Sequence, residues 1–261
     1  MSADRFTSAL PGLVTLPAAS AEPTVRAAKR PLRTKDELRA VVAEAAPRLA
    51  DASAQEVAAW AAEEFGGMLA VACSMADAVL PHLVSKSAPG VDVLFLETGY
   101  HFAETVATRH KVEAELPIHV VDVMPKLTVA EQDAKFGAEL NKWDPTACCR
   151  MRKVEPLAEQ LEGYEAWVTG VRRDEAPTRA NTPIVTFDEL HGLVKINPLA
   201  AWTFDDLLAY AQENQVTLNP LLNDGYPSIG CLPCTNRVAP GDDPRSGRWA
   251  GLSKTECGIH P

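Results

Sequence analysis

The sequence predicts an α/β fold in which helices cover both faces of a parallel β-sheet. Short apolar runs that are typical of buried strands alternate with helical segments through most of the chain, and turn residues separate them. A helix between two strands supplies the crossover that a parallel pair requires. The chain has 261 residues, which is enough to bury a full hydrophobic core.

The first predicted elements are a helix and the strand that follows it. Ser53 and Glu56 form a capping-box pattern that predicts the start of an Ala-rich helix, and Gly66 predicts its end. The apolar run over 68–72 is predicted as a strand. The alternation continues with a helix over 76–85, a strand over 91–96, a helix after Gly99 and a strand over 118–123.

The second half of the chain repeats this alternation and then changes character. The predicted elements are a helix over 150–161, strands over 166–171 and 193–196, and a helix over 203–215. Pro and Gly are frequent from 220 to 251, which predicts loops. We therefore predict a disordered tail over 1–33, an α/β domain over 34–219, and loops with a terminal tail over 220–261 that belong to the same domain.

The composition restricts the partners that the protein can have. A formal net charge of −10 disfavours a nucleic acid, whose phosphates require a basic face. No apolar run is long enough to span a bilayer, so we expect no membrane contact. Closely spaced cysteines without a signal peptide indicate a reducing, cytoplasmic location. The sequence leaves formation of a homo-oligomer open.

Four of the six cysteines form two pairs that indicate a metal centre. Cys148 and Cys149 are adjacent, while Cys231 and Cys234 are separated by two residues. Two neighbouring residues can scarcely wrap one tetrahedral zinc ion, whereas a cubane cluster offers each thiolate its own iron. The pattern therefore favours a [4Fe–4S] cluster, with zinc and the absence of a metal as alternatives.

A lone cysteine lies close to the C-terminus. Cys257 is followed by Gly258 and is only four positions from the last residue, where a side chain is seldom locked in a core. The adjacent Glu256 tends to raise the pKa of this thiol, so an activated thiolate requires basic groups nearby.

Three segments together resemble a known family: the adjacent pair Cys148 and Cys149, the segment 230–234, and the terminal segment 256–260. From about Thr34 to its end, the chain resembles the assimilatory sulfonucleotide reductases, and among them the adenylyl-sulfate reductases. Phosphoadenylyl-sulfate reductases resemble the rest of the chain but lack both cysteine pairs. The resemblance implies a Rossmann-like sheet of the ATP pyrophosphatase type, which makes 34–219 a nucleotide-binding domain.

The resemblance also implies a reaction. Adenylyl sulfate is reduced to sulfite and AMP, with thioredoxin or a similar dithiol protein as electron donor, and the four paired cysteines hold one [4Fe–4S] cluster. Cys257 is the implied nucleophile, which attacks the sulfur and carries it as S-sulfocysteine. A mobile tail would let this thiol visit both the substrate and the dithiol.

Ligands of parallel sheets lie beyond the carboxyl ends of the strands, so three strand-end turns are candidate substrate sites. The first contains Ser74, preceded by Cys73 where the related reductases usually have serine. The second contains Thr98, which the resemblance places near the base and ribose. In the third, Gly170 permits close approach of the backbone and Arg172 can bind phosphate.

Further cations complete the predicted substrate site. The resemblance implies that Lys153, Arg245 and Arg248 grip the phosphosulfate together with Arg172, and guanidinium groups match phosphate and sulfate oxygens well. The alternative interpretation is that these side chains are solvated surface charges or partners for the many carboxylates. His260 is predicted to assist Cys257 as a nearby cation or as a hydrogen-bond donor.

Two other functions fit parts of the sequence. A cluster-dependent tRNA thiolase has the same fold, but it needs a glycine-rich turn for pyrophosphate, and the segment 73–77 contains no glycine. The acidic composition also argues against tRNA. A metal-binding redox sensor, in which Cys257 is a regulatory thiol, would leave the three strand-end turns without a role.

Overall fold

The computed structural model of the chain describes residues 31–252 and 254–260. Its strands form one six-stranded sheet. In chain order they are β1 (Leu69–Ala72), β2 (Val91–Leu96), β3 (Ile118–Val123), β4 (Ala166–Val168), β5 (Val185–Asp188) and β6 (Leu193–Ile196). The order across the sheet is β3-β2-β1-β4-β6-β5, and only the β5–β6 pairing among these is antiparallel. The predicted α/β class with a mostly parallel sheet is confirmed.

Helices connect the strands and cover the sheet. They are α1 (Lys35–Leu49), α2 (Ala54–Phe65), α3 (Val79–Ser85), α4 (Ala103–Glu115), α5 (Val129–Phe136), α6 (Leu140–Trp143), α7 (Pro145–Cys149), α8 (Glu155–Leu161) and α9 (Phe204–Glu213). The predicted capping box at α2 is present, because the Ser53 hydroxyl accepts from the Glu56 N–H at 3.2 Å and the Glu56 carboxylate accepts from the Ser53 N–H at 2.8 Å. Gly66 ends this helix with a φ of +53°.

Two helices begin at other residues than predicted. The helix expected from residue 76 begins at Val79, because Ala76 and Ala78 exchange backbone hydrogen bonds with the segment 217–219 instead. The helix expected from residue 150 begins at Pro145 and continues through a π-helical turn, Arg150–Val154, into α8. The cysteine pair 148–149 therefore lies within a helix and not before it.

The strands agree better with the sequence than the helix starts do. β2, β3 and β6 have the predicted bounds, whereas β4 ends three residues early, at Val168. The next residue, Thr169, still donates its N–H to the Ile196 carbonyl at 2.9 Å, so the chain leaves the sheet gradually. The edge strand β5 was not predicted, because four residues between loops carry little periodic signal.

The segment after α9 packs against the carboxyl edge of the sheet. Leu232 donates its N–H to the Tyr100 carbonyl at 2.7 Å, and Ile259 packs against the main core. At the other end of the described chain, Arg33 donates to the buried Glu165 carboxylate through its N–H and Nε. Residues 1–30 of the predicted tail lie outside the described residues. No helix in the described ranges has the length and apolar character to cross a membrane.

Candidate active site

A cavity of about 320 Å³ lies at the carboxyl ends of β1, β2 and β4. The three strand-end turns form one side, and loops of the C-terminal segment form the other. This volume is in the range of small-ligand sites. All nine residues predicted to bind substrate or to act as nucleophile line it: Ser74, Thr98, Lys153, Gly170, Arg172, Arg245, Arg248, Cys257 and His260.

The first turn is stabilised by Cys73. Its sulfur accepts from the Met75 N–H and donates to the Asp77 carbonyl, both at 3.4 Å. Burial raises the pKa of the Cys73 thiol to about 12, so the group stays protonated. Asn219 supports the same turn by donating its side-chain amide to the Met75 carbonyl at 3.0 Å. Cys73 therefore stabilises the backbone of the first turn, while the neighbouring Ser74 is exposed to the cavity.

The second turn connects the cavity to one of the cysteine pairs. Thr98 is fully buried, and its hydroxyl accepts from the Tyr100 N–H at 3.3 Å and from the Cys231 thiol at 3.4 Å. The carbonyl of Thr98 accepts from Arg152 Nε. His101 lies with its Nε2 3.0 Å from the Leu96 carbonyl and its ring stacked on a phenylalanine, and burial lowers its pKa.

The third turn leaves space beside its glycine. A Cβ added at Gly170 would meet only Leu80 Cδ2, at 3.8 Å, so the backbone borders open cavity. Arg172 is already paired, since its Nε donates to Asp174 Oδ1 at 3.1 Å and its Nη1 lies 3.5 Å from Glu175 Oε1. An anionic ligand at Arg172 must therefore share this guanidinium with two carboxylates.

Arg248 lies on the side of the cavity formed by the C-terminal segment, across from the three strand-end turns. Its Nη1 donates to Ser228 Oγ at 3.3 Å, and its guanidinium covers the Trp249 ring at 4.6 Å from the centroid. Its Nε is buried and has no hydrogen-bond partner in the described part of the chain. Burial lowers the pKa of Arg248, and an anion beside it would offset that cost. Gly230 makes room for the group, because a Cβ there would lie 2.2 Å from Arg248 Nη2.

A second, smaller cavity adjoins the first and contains all four paired cysteines: Cys148, Cys149, Cys231 and Cys234. Lys153 and Arg248 line both cavities. Burial, with the nearby thiols, raises the pKa of Cys148 to about 12 and that of Cys234 to about 11. In residues 31–252 and 254–260, no group of three or more His, Cys, Asp and Glu side chains is arranged to hold a metal ion.

Lys153 lies between the two cavities, one turn beyond Cys149. Burial lowers the pKa of Lys153, but the sulfurs of Cys231 and Cys257 outweigh this effect and raise it. Conversely, burial raises the pKa of Cys231, while the positive charges of Lys153 and Arg248 bring it below its ordinary value. Lys153 is thus a fixed positive charge that serves the paired cysteines and the lone cysteine together.

The tail around Cys257 is docked in the cavity wall. The Glu256 carboxylate accepts from Arg179 Nε at 3.0 Å, from Arg179 Nη2 at 2.9 Å and from Arg245 Nη2 at 3.0 Å. Glu256 is therefore neutralised by two arginines beside Cys257. Sequence reasoning missed Arg179, whose one signal was its position four residues after Glu175 on the loop that follows the third turn.

His260 anchors the end of the tail. Its ring stacks on Trp167 of β4 with a centroid distance of 5.7 Å, and its buried Nδ1 has no partner among the described residues. Burial, together with Lys195 and Arg179, lowers the pKa of His260 well below its usual value. Of the two roles predicted for His260, the cation is therefore disfavoured at neutral pH, and the neutral hydrogen-bonding ring is favoured.

A Rossmann-like sheet with a cation-lined cavity at its strand ends is the architecture of enzymes that bind nucleotides. Residues 67–237 match the phosphoadenosine phosphosulfate reductase domain. The chain is 59% identical over 227 residues to an adenosine 5′-phosphosulfate reductase of Mycolicibacterium smegmatis, covering 87% of this chain and 96% of that protein. Over 228 residues it is 56% identical to an adenosine 5′-phosphosulfate reductase of Streptomyces coelicolor, covering 87% of this chain and 97% of that protein. The chain belongs to the phosphoadenosine phosphosulfate reductase family, and the resemblance seen in the sequence is confirmed.

Solved structures give the same picture of the fold. The phosphoadenylyl-sulfate reductase of Candida auris superposes with a TM-score of 0.64 at 30% identity, covering 76% of this chain and 96% of that chain. A Candida glabrata FMN adenylyltransferase superposes with a TM-score of 0.50 at 11% identity, covering 82% and 80%. The second likeness concerns the fold alone.

Proposed function

We propose that this protein reduces adenylyl sulfate to sulfite and AMP, with thioredoxin or a similar dithiol protein as electron donor. One observation carries the proposal: the lone thiol of Cys257 lines the same cavity as five cationic side chains. Four of these are the cations predicted to grip the phosphosulfate, which are Lys153, Arg172, Arg245 and Arg248. The relatives at 59% and 56% identity are named for the same sulfonucleotide.

In the proposed first half-reaction, the Cys257 thiolate attacks the sulfur of adenylyl sulfate. A sulfur–sulfur bond forms, the bond between that sulfur and the bridging oxygen breaks, and AMP leaves with the electron pair. Negative charge grows on the leaving phosphate, and preorganised cations lower the barrier by neutralising it. Arg248 is well suited to this task, because its buried Nε lacks a partner in the described chain.

In the proposed second half-reaction, a thiolate of the dithiol protein attacks Cys257 Sγ. Sulfite leaves with the electron pair of the broken sulfur–sulfur bond, and the second thiol of the donor resolves the mixed disulfide. The dithiol supplies both electrons, so the balance requires no further reductant. The tail must leave the cavity wall in this stage, since Cys257 is only partly exposed there.

We also propose that Cys148, Cys149, Cys231 and Cys234 hold one [4Fe–4S] cluster. The fit rests on the shared cavity of these four thiols, two of them on one helix and two at the ends of one short 3-10 helical turn. A bound cluster would supply structural rigidity and fixed charge to the neighbouring site. Lys153 follows Cys149 on the same helical segment, so its ammonium is positioned by the residues that hold the cluster.

The proposal extends to the setting of the reaction. Cysteines that bind a cluster and exchange with a dithiol belong in a reducing compartment, which favours the cytoplasm. The net charge of −10 disfavours a nucleic-acid partner, and we expect no membrane partner. A homo-oligomer is compatible with this chemistry.

Comparison of two substrates tests the function. With thioredoxin present, we expect sulfite from adenylyl sulfate and much less from its 3′-phosphorylated form, measured as kcat/KM for each at fixed salt. A preference for the 3′-phosphorylated compound would contradict the proposed substrate, and no sulfite from either would contradict the proposed reaction.

Gly230→Ala should reduce activity through Arg248. The new methyl group would occupy the position of the Arg248 guanidinium, at 2.2 Å from Nη2, and displace it. We expect kcat/KM to fall by roughly tenfold or more, because the free energy of one lost charge-assisted hydrogen bond corresponds to a change of that size. Gly67→Ala is the matched control, because nothing lies within 4 Å of its added Cβ.

The mechanism of the Gly230→Ala effect can be checked with Arg248→Ala. If Gly230 acts by seating Arg248, the double variant should be no worse than Arg248→Ala alone. Additive losses would show that Gly230 acts through another residue, and activity equal to that of Gly67→Ala would show that the guanidinium has room elsewhere.

A further inference from the structure

The chain contains a row of alternating charges that connects the third strand-end turn to the tail. Arg172 contacts Glu175, Glu175 contacts Arg179, and Arg179 contacts Glu256. The side chains of Arg179 and Glu256 are only 12% and 22% exposed. A partly buried pair of this kind is screened less by solvent than a surface ion pair.

Arg179 differs from the other cavity arginines in the number of its guanidinium nitrogens that are bound to carboxylates. Its Nε and Nη2 form a two-pronged pair with the Glu256 carboxylate, and its Nη1 donates to Glu175. All three guanidinium nitrogens are therefore engaged by carboxylates of this chain. Arg245, in contrast, gives Glu256 only its Nη2. Arg179 is arranged to hold the tail and not to hold a ligand.

The tail has a second anchor on the other side of the nucleophile. Gly258 turns the chain with a φ of +87°, Ile259 packs against the core and His260 stacks on Trp167. Cys257 is thus suspended between an ionic anchor at Glu256 and an apolar anchor at Ile259 and His260. Release of either anchor frees the thiol to move, and the ionic one is adjacent to it.

We propose that Arg179 is a positioning residue whose two-pronged pair with Glu256 holds Cys257 in the cavity for attack and breaks to expose the sulfonated cysteine to the dithiol. The assignment of the two stages rests on the proposed function. The positioning itself does not, because it concerns where the thiol lies. A residue that aligns a nucleophile matters for the attack and not for a step that occurs outside the cavity.

The accessibility of Cys257 tests the position of the tail without any substrate. Cleavage after Lys254 releases the segment 255–261, which contains Cys257 as its one cysteine, so mass spectrometry can follow its alkylation by a small maleimide. We expect Arg179→Gln and Glu256→Gln each to speed this alkylation roughly tenfold, as for loss of a charge-assisted pair. The double variant should be no faster than Glu256→Gln alone, which already loses the contacts of Glu256 with both Arg179 and Arg245.

A matched pair elsewhere controls for loss of an arginine–glutamate contact as such. Arg39 also uses its Nε and Nη2 on one carboxylate, that of Glu189, on the exposed surface of α1. Arg39→Gln should leave the alkylation rate of Cys257 unchanged. Arg179→Lys should be intermediate, because lysine keeps the charge but lacks the fork.

The two half-reactions separate positioning from substrate binding. At saturating adenylyl sulfate, Arg179→Gln should release AMP roughly tenfold more slowly in a single turnover, with little change in the concentration for half-saturation. Discharge of preformed S-sulfocysteine by thioredoxin should be as fast as in the native protein or faster. A rise in the half-saturating concentration alone would instead make Arg179 a substrate ligand.

Native alkylation rates in Arg179→Gln and Glu256→Gln would overturn the proposal, as would equal slowing of both half-reactions. Glu256→Gln keeps the test valid if Arg179→Gln does not fold, since Glu256 lies on the tail. Failure of the native protein to form any adduct would refute the proposed function, and the alkylation comparison would still decide whether Arg179 holds the tail.

Discussion

Cys257→Ser is expected to abolish sulfite release while the protein still folds and binds adenylyl sulfate. The substitution removes one sulfur atom from a partly exposed position and disturbs no core contact of the sheet. A serine hydroxyl at this site has no dedicated base to activate it: the neighbouring Glu256 is bound by two arginines, and His260 is stacked on Trp167. The loss should therefore exceed that of any substrate-binding variant.

The native protein provides the complementary measurement. Mixed with adenylyl sulfate in the absence of a reductant, it should release AMP to at most about one equivalent and acquire a sulfonate on the peptide containing Cys257, as covalent catalysis in two stages requires. Thioredoxin should then discharge this adduct as sulfite. Continued turnover by Cys257→Ser, or an adduct on any other cysteine, would show that Cys257 is not the nucleophile.

The strands and the grouping of the paired cysteines could be predicted from the sequence because both depend on local signals. The run 91–96 is apolar except for Asp92, since a central parallel strand is buried on both faces, and its bounds were correct. The spacing of the adjacent pair and of the separated pair likewise predicted that these four cysteines act together, and the structure places all four in one cavity. Their proposed role as cluster ligands stays a prediction.

The remaining differences arise from contacts between distant segments. The helix after β1 begins late because 76–78 pairs with 217–219, some 140 residues away in sequence, and local pattern carries no trace of that pairing. Arg179 was missed for the same reason, since its partner Glu256 is 77 residues distant. The docking of the tail depends on the stacking of His260 on the buried Trp167, and no local sequence pattern reveals this long-range contact.

Replacing one of the four paired cysteines should have the second-largest effect. We expect Cys231→Ser to lose the iron, the sulfide and the brown colour of a native protein that carries about four irons per chain. Cys231 also donates to Thr98 and lies near Lys153, so its loss should loosen the second strand-end turn and lower Tm by several degrees. Iron and sulfide analysis with thermal unfolding measures both effects without an activity assay.

Cys73→Ser provides the matched control for that experiment. Cys73 belongs to the first turn, where its sulfur bonds Met75 and Asp77, and it does not line the cavity of the paired cysteines. Because a serine hydroxyl can accept and donate the same two bonds, iron content should be unchanged in this variant. Full iron in Cys231→Ser, or zinc in a colourless and active native protein, would contradict the cluster. Loss of iron in both variants would instead mean that iron content follows general stability. A cluster held by the paired cysteines requires Cys231 but does not require Cys73.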